Sequence, residues 1–368
     1  MKLALVHDWL KNISGAERVL IELHEIFPDA PIYTLFYDKK FTQKWLPDAD
    51  IRASFLQKIP LITKFYWLFA WLMPTAIEAF DLSEFDRVLS SSVIFSKGLI
   101  LKPSTKHICY CYSPTRFLWD RNSEARITNY ESWSRLIFNH LLRLWDRASA
   151  DRVDQFIAIS KVVQSRIKKY YRRDSIVIYP PMTKLSITNY ELRIKDSNLQ
   201  SAIRNPQFYL IVSRLHKYKN IDIAIEVFNK LNYPLIIIGT GPDKDRLKRL
   251  AGGNIMFLGE QDDSTLVEYY RACRAFIMPQ EEDFGLTPIE AMSFGKPVVA
   301  LRQGGAVETV IEGQTGEFFD DPIPETLADA IRRLNENYAN YNSETIKAQA
   351  SLFSHEKFKN LITEIVAS

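Results

Sequence analysis

The sequence predicts an α/β protein built from two doubly wound domains in series. First, 368 residues are too many for one ordinary hydrophobic core. Second, short apolar strands alternate with helical segments in both halves, which is typical of parallel sheets covered on both faces. Third, residues 182–205 are polar and lack a clear period, as linkers do. The expected domains therefore span 1–181 and 206–350, and residues 351–368 form a C-terminal helix.

The composition is that of a folded, weakly charged protein. Hydrophobic residues make up 46% and charged residues 25% of the chain, which argues against disorder. The net charge of +3 gives no sign of a nucleic-acid partner. Cys109, Cys111 and Cys273 are odd in number, and the spacing of the first two matches neither a zinc nor a redox motif. A reducing, cytoplasmic compartment fits this content best. The apolar run that opens the chain is too short for a signal peptide, so we expect a strand there.

Strands and helices alternate through the first half. Ser14-Gly15 opens a helix after the first strand, and helical periodicity from Trp133 to about Ala150 places one set of apolar side chains on a single face. That set is Leu136, Ile137, Leu141, Leu144 and Trp145. The predicted strands are 3–7, 32–35, 87–91, 107–111, 156–160 and 175–179.

The second half shows the same alternation. Its predicted strands are 208–212, 234–238, 255–258, 275–278 and 297–300. In sheets of this kind ligands bind beyond the carboxyl ends of the strands. The loops that follow these strands are therefore where functional residues are expected.

A basic turn follows the first strand of the second half. Arg214 and Lys219 flank it, just before a helix that begins near Ile221. Two cations at a helix N-terminus oppose the helix dipole, which favours anions there, so a bound diphosphate would explain them. A solvated basic loop is the alternative, and this turn alone does not separate the two.

Glycines end or follow three further strands of this half. Gly239-Thr240-Gly241 lacks the spacing of the dinucleotide fingerprint, which disfavours a nicotinamide enzyme. Gly259 is placed with Glu260 to meet a nucleotide base, and Gly304-Gly305 follows the last predicted strand. These glycines and the basic turn all fall at strand ends on one side of one sheet, which chance placement does not readily explain.

Two carboxylates, Glu282 and Glu290, are separated by seven residues, with Gly285 and a helix start between them. This layout suits a sugar nucleotide, because one acid can bind sugar hydroxyls, backbone N–H groups the phosphates and the other acid the ribose. Thr287 through Glu290 also spells a capping box with Pro288 at the first helical position. Glu290 by itself is better explained as that cap. Glu282 has no such explanation, which makes it the decisive residue.

These motifs resemble the retaining glycosyltransferases of family four, which have the GT-B fold. The resemblance covers most of residues 208–317. It consists of Ser-Arg-Leu-x3-Lys (213–219), Gly-Thr-Gly-Pro (239–242), Phe-Leu-Gly (257–259), Glu-x7-Glu (282–290), Gly-Lys-Pro-Val-Val-Ala (295–300), Gly-Gly-Ala-Val-Glu (304–308) and Gly-x2-Gly (313–316). The first half is similar to a branch often assigned to mannosyl transfer, through residues 6–10, 15–18 and 110–116.

The resemblance implies two Rossmann-like domains with a cleft between them and a C-terminal helix that crosses back to the first domain. It implies transfer of a hexose from a nucleotide-diphospho-sugar, GDP-mannose before a UDP-sugar, to a glycan or lipid-linked oligosaccharide acceptor in surface polysaccharide synthesis. The sugar nucleotide is a substrate, and no cofactor, metal ion or nucleic acid is expected. The acid pairs Asp262-Asp263 and Asp320-Asp321 are better explained as turn and cap residues.

The same resemblance assigns roles to individual residues of the second half. Arg214 and Lys219 would bind the diphosphate and stabilise the leaving group. Glu282 would contact sugar hydroxyls near the reacting carbon, and Glu290 the ribose. The remaining donor-binding positions would act through their main chain, and they are Gly259, Phe284, Gly285, Leu286 and Thr287.

Three residues of the first half are also assigned to substrates. Gly15 would let its loop approach the diphosphate, although a tight strand-to-helix turn needs the same glycine. Tyr112 and Arg116 are placed on the acceptor or sugar side. Related sequences commonly have a His where this chain has Tyr112, and a tyrosine with a pKa of about 10 is a poor base. We therefore favour a front-face mechanism, in which the departing phosphate takes the proton of the acceptor.

Two segments indicate a further partner, an anionic membrane surface. Residues 56–74 are rich in aromatic and aliphatic side chains, but Pro60 and Pro74 leave thirteen residues between them. A bilayer-spanning helix needs about 20. A core helix and a helix in the membrane interface both explain this segment. Residues 166–173 combine basic and aromatic side chains, as a solvated helix face or a lipid-docking surface would. Peripheral binding to the inner face of the plasma membrane is thus a hypothesis.

Two other functions share the pattern. A sugar-nucleotide epimerase of GT-B type would turn over fully without an acceptor, whereas a transferase would only hydrolyse its donor slowly. A non-catalytic nucleotide-sugar-binding subunit would have less need of the cations Arg214 and Lys219.

Overall fold

The computed structural model describes residues 1–120, 133–183 and 208–368. Within these ranges the chain forms two compact units. The first unit comprises Met1–Pro180 and Glu356–Ser368, and the second comprises Pro181–His355. The predicted linker at 182–205 lies almost wholly outside the described residues.

The first unit is built on a parallel sheet. Its strands are Leu3–His7 (β1), Ile32–Thr34 (β2), Ile51–Ala53 (β3), Arg87–Ser92 (β4), Lys106–Cys111 (β5), Gln155–Ala158 (β6) and Ser175–Val177 (β7). In the part of the chain that the structure describes, they lie side by side in the order β3-β2-β1-β4-β5-β6-β7. In the register, Val6 of β1 lies between Tyr33 of β2 and Ser90 of β4. The order reverses between β1 and β4, as in a doubly wound sheet.

The helices of the first unit cover both faces of this sheet, as its near-continuous apolar strands require. They are Gly15–Ile26 (α1), Lys39–Trp45 (α2), Ile62–Phe65 (α3), Met73–Glu78 (α4), Arg116–Trp119 (α5), Trp133–Ala150 (α6) and Lys161–Arg166 (α7). Shorter 3-10 helices span Phe55–Lys58 and Tyr66–Leu72, and a π-helical turn spans Ile167–Tyr171.

A buried ion pair ties α6 to the rest of the first unit. Lys97 and Asp146 are 1% and 0% exposed, and the Lys97 Nζ lies 2.7 Å from Asp146 Oδ1. The same carboxylate accepts hydrogen bonds from Thr115 Oγ1, Trp119 Nε1 and the hydroxyl of Tyr171 at 2.6, 2.7 and 2.9 Å. A fully buried carboxylate is tolerated only with such partners. Tyr171 of the basic and aromatic segment 166–173 is therefore part of the core.

The second unit is built on another parallel sheet. Its strands are Tyr209–Val212 (β8), Leu235–Ile238 (β9), Ile255–Gly259 (β10), Ala275–Met278 (β11), Val298–Leu301 (β12) and Gly316–Phe319 (β13). Among the described residues they follow the order β10-β9-β8-β11-β12-β13. The order reverses between β8 and β11, where Leu210 lies beside Phe276.

The helices of the second unit follow the strands in turn. They are Ile221–Leu231 (α8), Lys244–Leu250 (α9), Asp263–Ala272 (α10), Leu286–Ser293 (α11), Ala306–Thr309 (α12), Pro324–Glu336 (α13) and Ser343–Ser351 (α14). The last helix, His355–Ala367 (α15), belongs to the first unit from Glu356 onward. There the ring of Phe358 meets Tyr110 of β5 edge-on at 5.8 Å.

All eleven strands predicted from the sequence are present, with ends that differ by at most two residues. The described residues also form two strands that were not predicted. The first, β3, is a three-residue edge strand with a charged centre, Ile51-Arg52-Ala53, and so shows little apolar pattern. The second, β13, begins at Gly316, which the sequence pattern assigned to a glycine motif.

Helix α6 exposes the apolar face that its periodicity indicates. Four of the five predicted members of that face, Leu136, Ile137, Leu141 and Leu144, are 44–58% exposed, and Trp133 is 83% exposed. Trp145 instead packs toward the core with Leu142. In the described part of the chain, no helix has both the length and the apolar character needed to cross a membrane.

Candidate active site

The candidate site lies at the carboxyl ends of β8 and β11. These strands are neighbours at the point where the strand order reverses, so the loops that follow them diverge and leave a crevice. The loop after β8 contains Arg214 and Lys219, and the loop after β11 contains Glu282. Asn220 Nδ2 donates to the carbonyl of Pro279 at 3.1 Å and joins the two loops.

Lys219 and Glu282 form an ion pair. They are 63 residues apart in the sequence, and Lys219 Nζ contacts Glu282 Oε1 directly. The Lys219 side chain is 5% exposed and that of Glu282 is 27% exposed, so the cation is buried while the carboxylate remains open to a ligand. The structure thus brings together two of the three residues that the sequence assigns to catalysis.

The remaining member, Arg214, is exposed in the same loop as Lys219. Lys219 ends a short 3-10 helix, Lys217–Lys219, and Asn220 follows it with a φ of 52° at the N-terminus of α8. Left-handed backbone at a non-glycine residue is uncommon and occurs mainly at Asn and Asp. Asn220 thus allows the sharp change of direction between Lys219 and α8, and the contact with Glu282 positions the ammonium of Lys219.

Gln280 is a site residue that the sequence did not reveal. Its Nε2 donates to Glu282 Oε1 at 3.1 Å, and its side chain is only 3% exposed. Glu282 Oε1 thus accepts from an amide as well as from the ammonium of Lys219. In the sequence, Gln280 is simply a polar residue shortly after a buried strand. Such residues are too common to indicate a functional site.

The main chain around Glu282 is held by Gly304-Gly305, the pair that follows β12. Gly305 N–H donates to the carbonyl of Glu282 at 2.8 Å. A Cβ at Gly304 would lie 2.1 Å from that carbonyl oxygen, and one at Gly305 would lie 2.3 Å from the carbonyl oxygen of Phe284. A side chain at either position would displace the loop that contains Glu282. The two glycines therefore allow the chain after β12 to pack directly against that loop.

The predicted capping box at Thr287–Glu290 is wrong. Helix α11 begins at Leu286, its N-cap is Gly285 with a φ of 88°, and no side chain caps it. Glu290 is 6% exposed, and its Oε2 accepts a hydrogen bond from the hydroxyl of Tyr270 at 2.7 Å. Because Gly285 has no side chain that could cap the helix, the first N–H groups of α11 are left for an anion.

Phe284, a predicted donor-binding position, is buried against Phe353, with ring centroids 5.5 Å apart. Its side chain therefore packs in the core of the second unit.

Gly239 and Gly259 pack the loops against each other. Gly239 N–H donates to the carbonyl of Gly259 at 2.7 Å, and a Cβ at Gly239 would lie 2.0 Å from the carbonyl of Ser213. Gly239 thus lets its backbone lie close to the turn after β8.

The carboxyl edge of the first sheet carries a second polar cluster. Asp8, directly after β1, accepts backbone N–H groups from residues 93–96 at 2.6–2.9 Å. Glu17 of α1 lies 3.6 Å from His7 Nε2 and accepts from the hydroxyl of Ser14. Burial alone would raise the pKa of Glu17, but its contacts with His7 and Ser14 outweigh burial and lower it. The cluster thus carries an ionised Glu17.

Tyr112 belongs to this cluster. Its hydroxyl donates to the carbonyl of Ala16 at 3.0 Å and accepts from Ser91 Oγ at 2.9 Å. Burial raises the pKa of Tyr112 well above its ordinary value, so the phenol stays protonated at neutral pH. Gly15, the first residue of α1, directly precedes Ala16, while Arg116 begins α5 and lies 3.7 Å from Asp120.

The chain resembles known glycosyltransferases in sequence. Residues 195–351 match the model of a family described as glycosyl transferases group 1. Alpha-1,3/1,6-mannosyltransferase ALG2 of Candida glabrata is 27% identical over 378 residues, which cover 85% of this chain and 79% of that protein. An uncharacterized glycosyltransferase of Methanocaldococcus jannaschii is 31% identical over 194 residues, and the match spans about half of each protein, 49%.

Solved structures extend the likeness to the whole chain. HepE of Anabaena in complex with UDP superposes with a TM-score of 0.72 at 20% identity, over 100% of both chains. The protein has a GT-B fold. Sucrose-phosphate synthase of Thermosynechococcus elongatus gives a TM-score of 0.75 at 17% identity, over 99% of this chain and 98% of that one. The predicted GT-B fold is confirmed, and the sequence matches support glycosyltransferase activity.

Proposed function

We propose that the protein is a retaining, metal-independent hexosyltransferase that uses a nucleotide-diphospho-sugar. The observation that carries the proposal is the pairing of Lys219 with Glu282 beside the N-terminus of α11. A buried ammonium, a partly exposed carboxylate and uncapped N–H groups suit a ligand that contains both a sugar and a diphosphate. Arg214, exposed in the same loop, adds a second cation for the phosphates.

The proposed chemistry begins with departure of the nucleoside diphosphate. As the bond between the anomeric carbon and the phosphate oxygen breaks, its electron pair moves to that oxygen. Lys219 and Arg214 would supply positive charge there. Lys219 is already fixed by its contact with Glu282, so its charge needs little reorganisation when the bond breaks.

The acceptor hydroxyl would then attack from the face that the phosphate has just left. Its oxygen forms the new bond to the anomeric carbon, and its proton passes to the departing phosphate oxygen. This sequence retains the configuration of the anomeric carbon and needs no protein base. Tyr112 is consistent with it, because its phenol is protonated and donates to a backbone carbonyl.

The donor and acceptor are proposed by class. Relatives named as ALG2 mannosyltransferases support mannose as the transferred sugar, and GDP-mannose is the proposed donor. The HepE complexes with UDP and UDP-glucose support a UDP-sugar as the second candidate. A glycan or lipid-linked glycan of a surface polysaccharide is the proposed acceptor, with the enzyme acting in the cytoplasm. Glu290, whose carboxylate accepts a hydrogen bond from Tyr270, is the proposed contact for the ribose.

A thermal-shift panel with GDP, UDP and ADP tests the donor site directly. A nucleotide present at 100 times its Kd stabilises the native state by about 2.7 kcal/mol, which is readily measured. We expect GDP to give the largest shift. The absence of a shift with all three nucleotides would contradict the proposed site. Incubation of GDP-mannose without an acceptor then separates the reactions, because only an epimerase would turn over fully.

A further inference from the structure

The first unit carries a wide apolar surface that the donor site does not use. It is formed by Trp67, Leu68 and Trp71 of the 3-10 helix Tyr66–Leu72 and by Ile137, Leu141 and Leu144 of α6. All six side chains are 50–63% exposed. We name this surface the docking face. Exposed apolar side chains in this number usually mark an interaction site.

The 3-10 helix exposes its aromatic side chains because of its period. With three residues per turn, side chains at i and i+3 lie on one face. Tyr66, Phe69 and Leu72 therefore share a face, and all three pack on the core of the first unit. The other two faces carry Trp67, Leu68 and Trp71, which point to solvent although they are apolar. A sequence selected only for packing would place polar residues there.

Helix α6 contributes the other half of the docking face. Its buried side carries Leu142 and Trp145, and its outer side repeats apolar residues at helical spacing, Ile137, Leu141 and Leu144. Two observations connect this helix to the 3-10 helix through the core of the first unit. Phe138 and Trp145 pack on the same core cluster as Phe69 and Leu72, and Trp145 Nε1 donates to Glu78 Oε1 of α4 at 2.8 Å.

Charge identifies the kind of partner. Residues 55–77 and 133–145, which contain the docking face, include Lys58, Lys64, Arg135 and Arg143 and no Asp or Glu. Exposed apolar side chains with tryptophans, together with cations on the same two segments, suit the interface of an anionic bilayer. A second copy of this chain fits poorly, because a two-fold interface would place the same cations against one another.

We infer that the docking face binds the surface of a membrane that contains anionic lipid. Trp67, Trp71 and the outer side of α6 enter the interfacial layer, while Lys58 and Lys64 contact the headgroups. The inference does not rest on the transfer reaction, since none of the donor-site residues belongs to the docking face. If the acceptor is a lipid-linked glycan, the same contact would hold the enzyme where that acceptor is found.

Vesicle sedimentation tests this inference with the full-length protein. Vesicles of phosphatidylcholine alone and of equal parts phosphatidylcholine and phosphatidylglycerol are pelleted, and the bound fraction is measured. We expect binding to the anionic vesicles only. Trp67→Gln/Trp71→Gln and, separately, Ile137→Gln/Leu141→Gln/Leu144→Gln should each lower the partition coefficient at least tenfold, about the effect of one apolar side chain left in water.

The control variant carries the same substitution at exposed apolar positions of the second unit, Leu250→Gln/Ile323→Gln, which are 46% and 44% exposed. It should bind as well as the wild type. Equal binding by all variants, or no binding by the wild type, would overturn the inference. So would a dimer in sedimentation velocity that the α6 variant dissociates, because a second copy would then cover the face. The tryptophan variant and the α6 variant change different helices. If one of them does not fold, the other still tests membrane binding.

Discussion

Replacing Lys219 by Met is the sharpest test of the proposed chemistry. Lys219 is 4% exposed, so water does not screen its charge, and its nitrogen contacts Glu282 directly. Loss of one preorganised donor from a site where negative charge develops costs about 100- to 1,000-fold in kcat. We expect the upper part of that range, because burial strengthens the interaction that is removed.

Lys217 provides a matched control for this variant. It lies two residues away in the same 3-10 helix, carries the same charge and is exposed. Lys217→Met should change kcat by less than about threefold, since an exposed charge is screened by water and salt. Initial rates measured over a range of donor concentrations give kcat and KM for both variants.

Folding must be shown to be intact before the rates are compared. Lys219→Met leaves the carboxylate of Glu282 without its cation, but that carboxylate is 27% exposed and can be hydrated. We therefore expect a loss of only about 1 kcal/mol in the free energy of unfolding. A Lys219→Met enzyme that keeps a third of its kcat, or equal losses in both variants, would refute the assignment of Lys219 to the leaving group.

Four further results are expected. Glu282→Ala should abolish transfer but leave the thermal shift with GDP largely intact; loss of both would point to a structural role. Tyr112→Phe should lower turnover by only a few-fold, since its hydroxyl donates to the carbonyl of Ala16, and a loss of several hundred-fold would reveal an acid or base role. Activity should persist in EDTA, and complete loss that magnesium restores would contradict a metal-independent reaction. Lys97→Met should lower the free energy of unfolding, measured in urea, by about 3–5 kcal/mol, because it leaves the buried carboxylate of Asp146 without its cation. Lys102→Met, at an exposed lysine, should leave the free energy of unfolding unchanged.

The pairing of Lys219 and Glu282 was predictable in outline because it depends on topology. Residues that follow buried parallel strands collect at one edge of a sheet, and the sequence marks those strands by their continuous apolar runs. The reversal of strand order between β8 and β11 decides which loops meet. That order is a tertiary property, so the sequence placed both residues at the same edge without showing that they touch.

The prediction of a capping box was wrong because long-range contacts outweigh the local sequence pattern. Thr287 and Glu290 have the right spacing, but Gly285 adopts a positive φ and starts the helix earlier. Glu290 is then turned inward to Tyr270, 20 residues away in the sequence. Likewise, periodicity found the apolar face of α6 but could not show that this face is exposed, since amphipathic patterns look the same whether core or lipid covers them.

The path of the chain has a consequence for synthesis of the protein. Helix α15 packs in the first unit, through the contact of Phe358 with Tyr110, although it is translated after the whole of the second unit. Between Pro180 and Glu356 the ribosome adds 175 residues, which takes about 10–35 s at bacterial or eukaryotic rates. Throughout that interval the nascent first unit exposes the apolar surface that α15 later covers. The first unit thus has an incomplete apolar core for that whole interval, and the second unit can complete its folding before it.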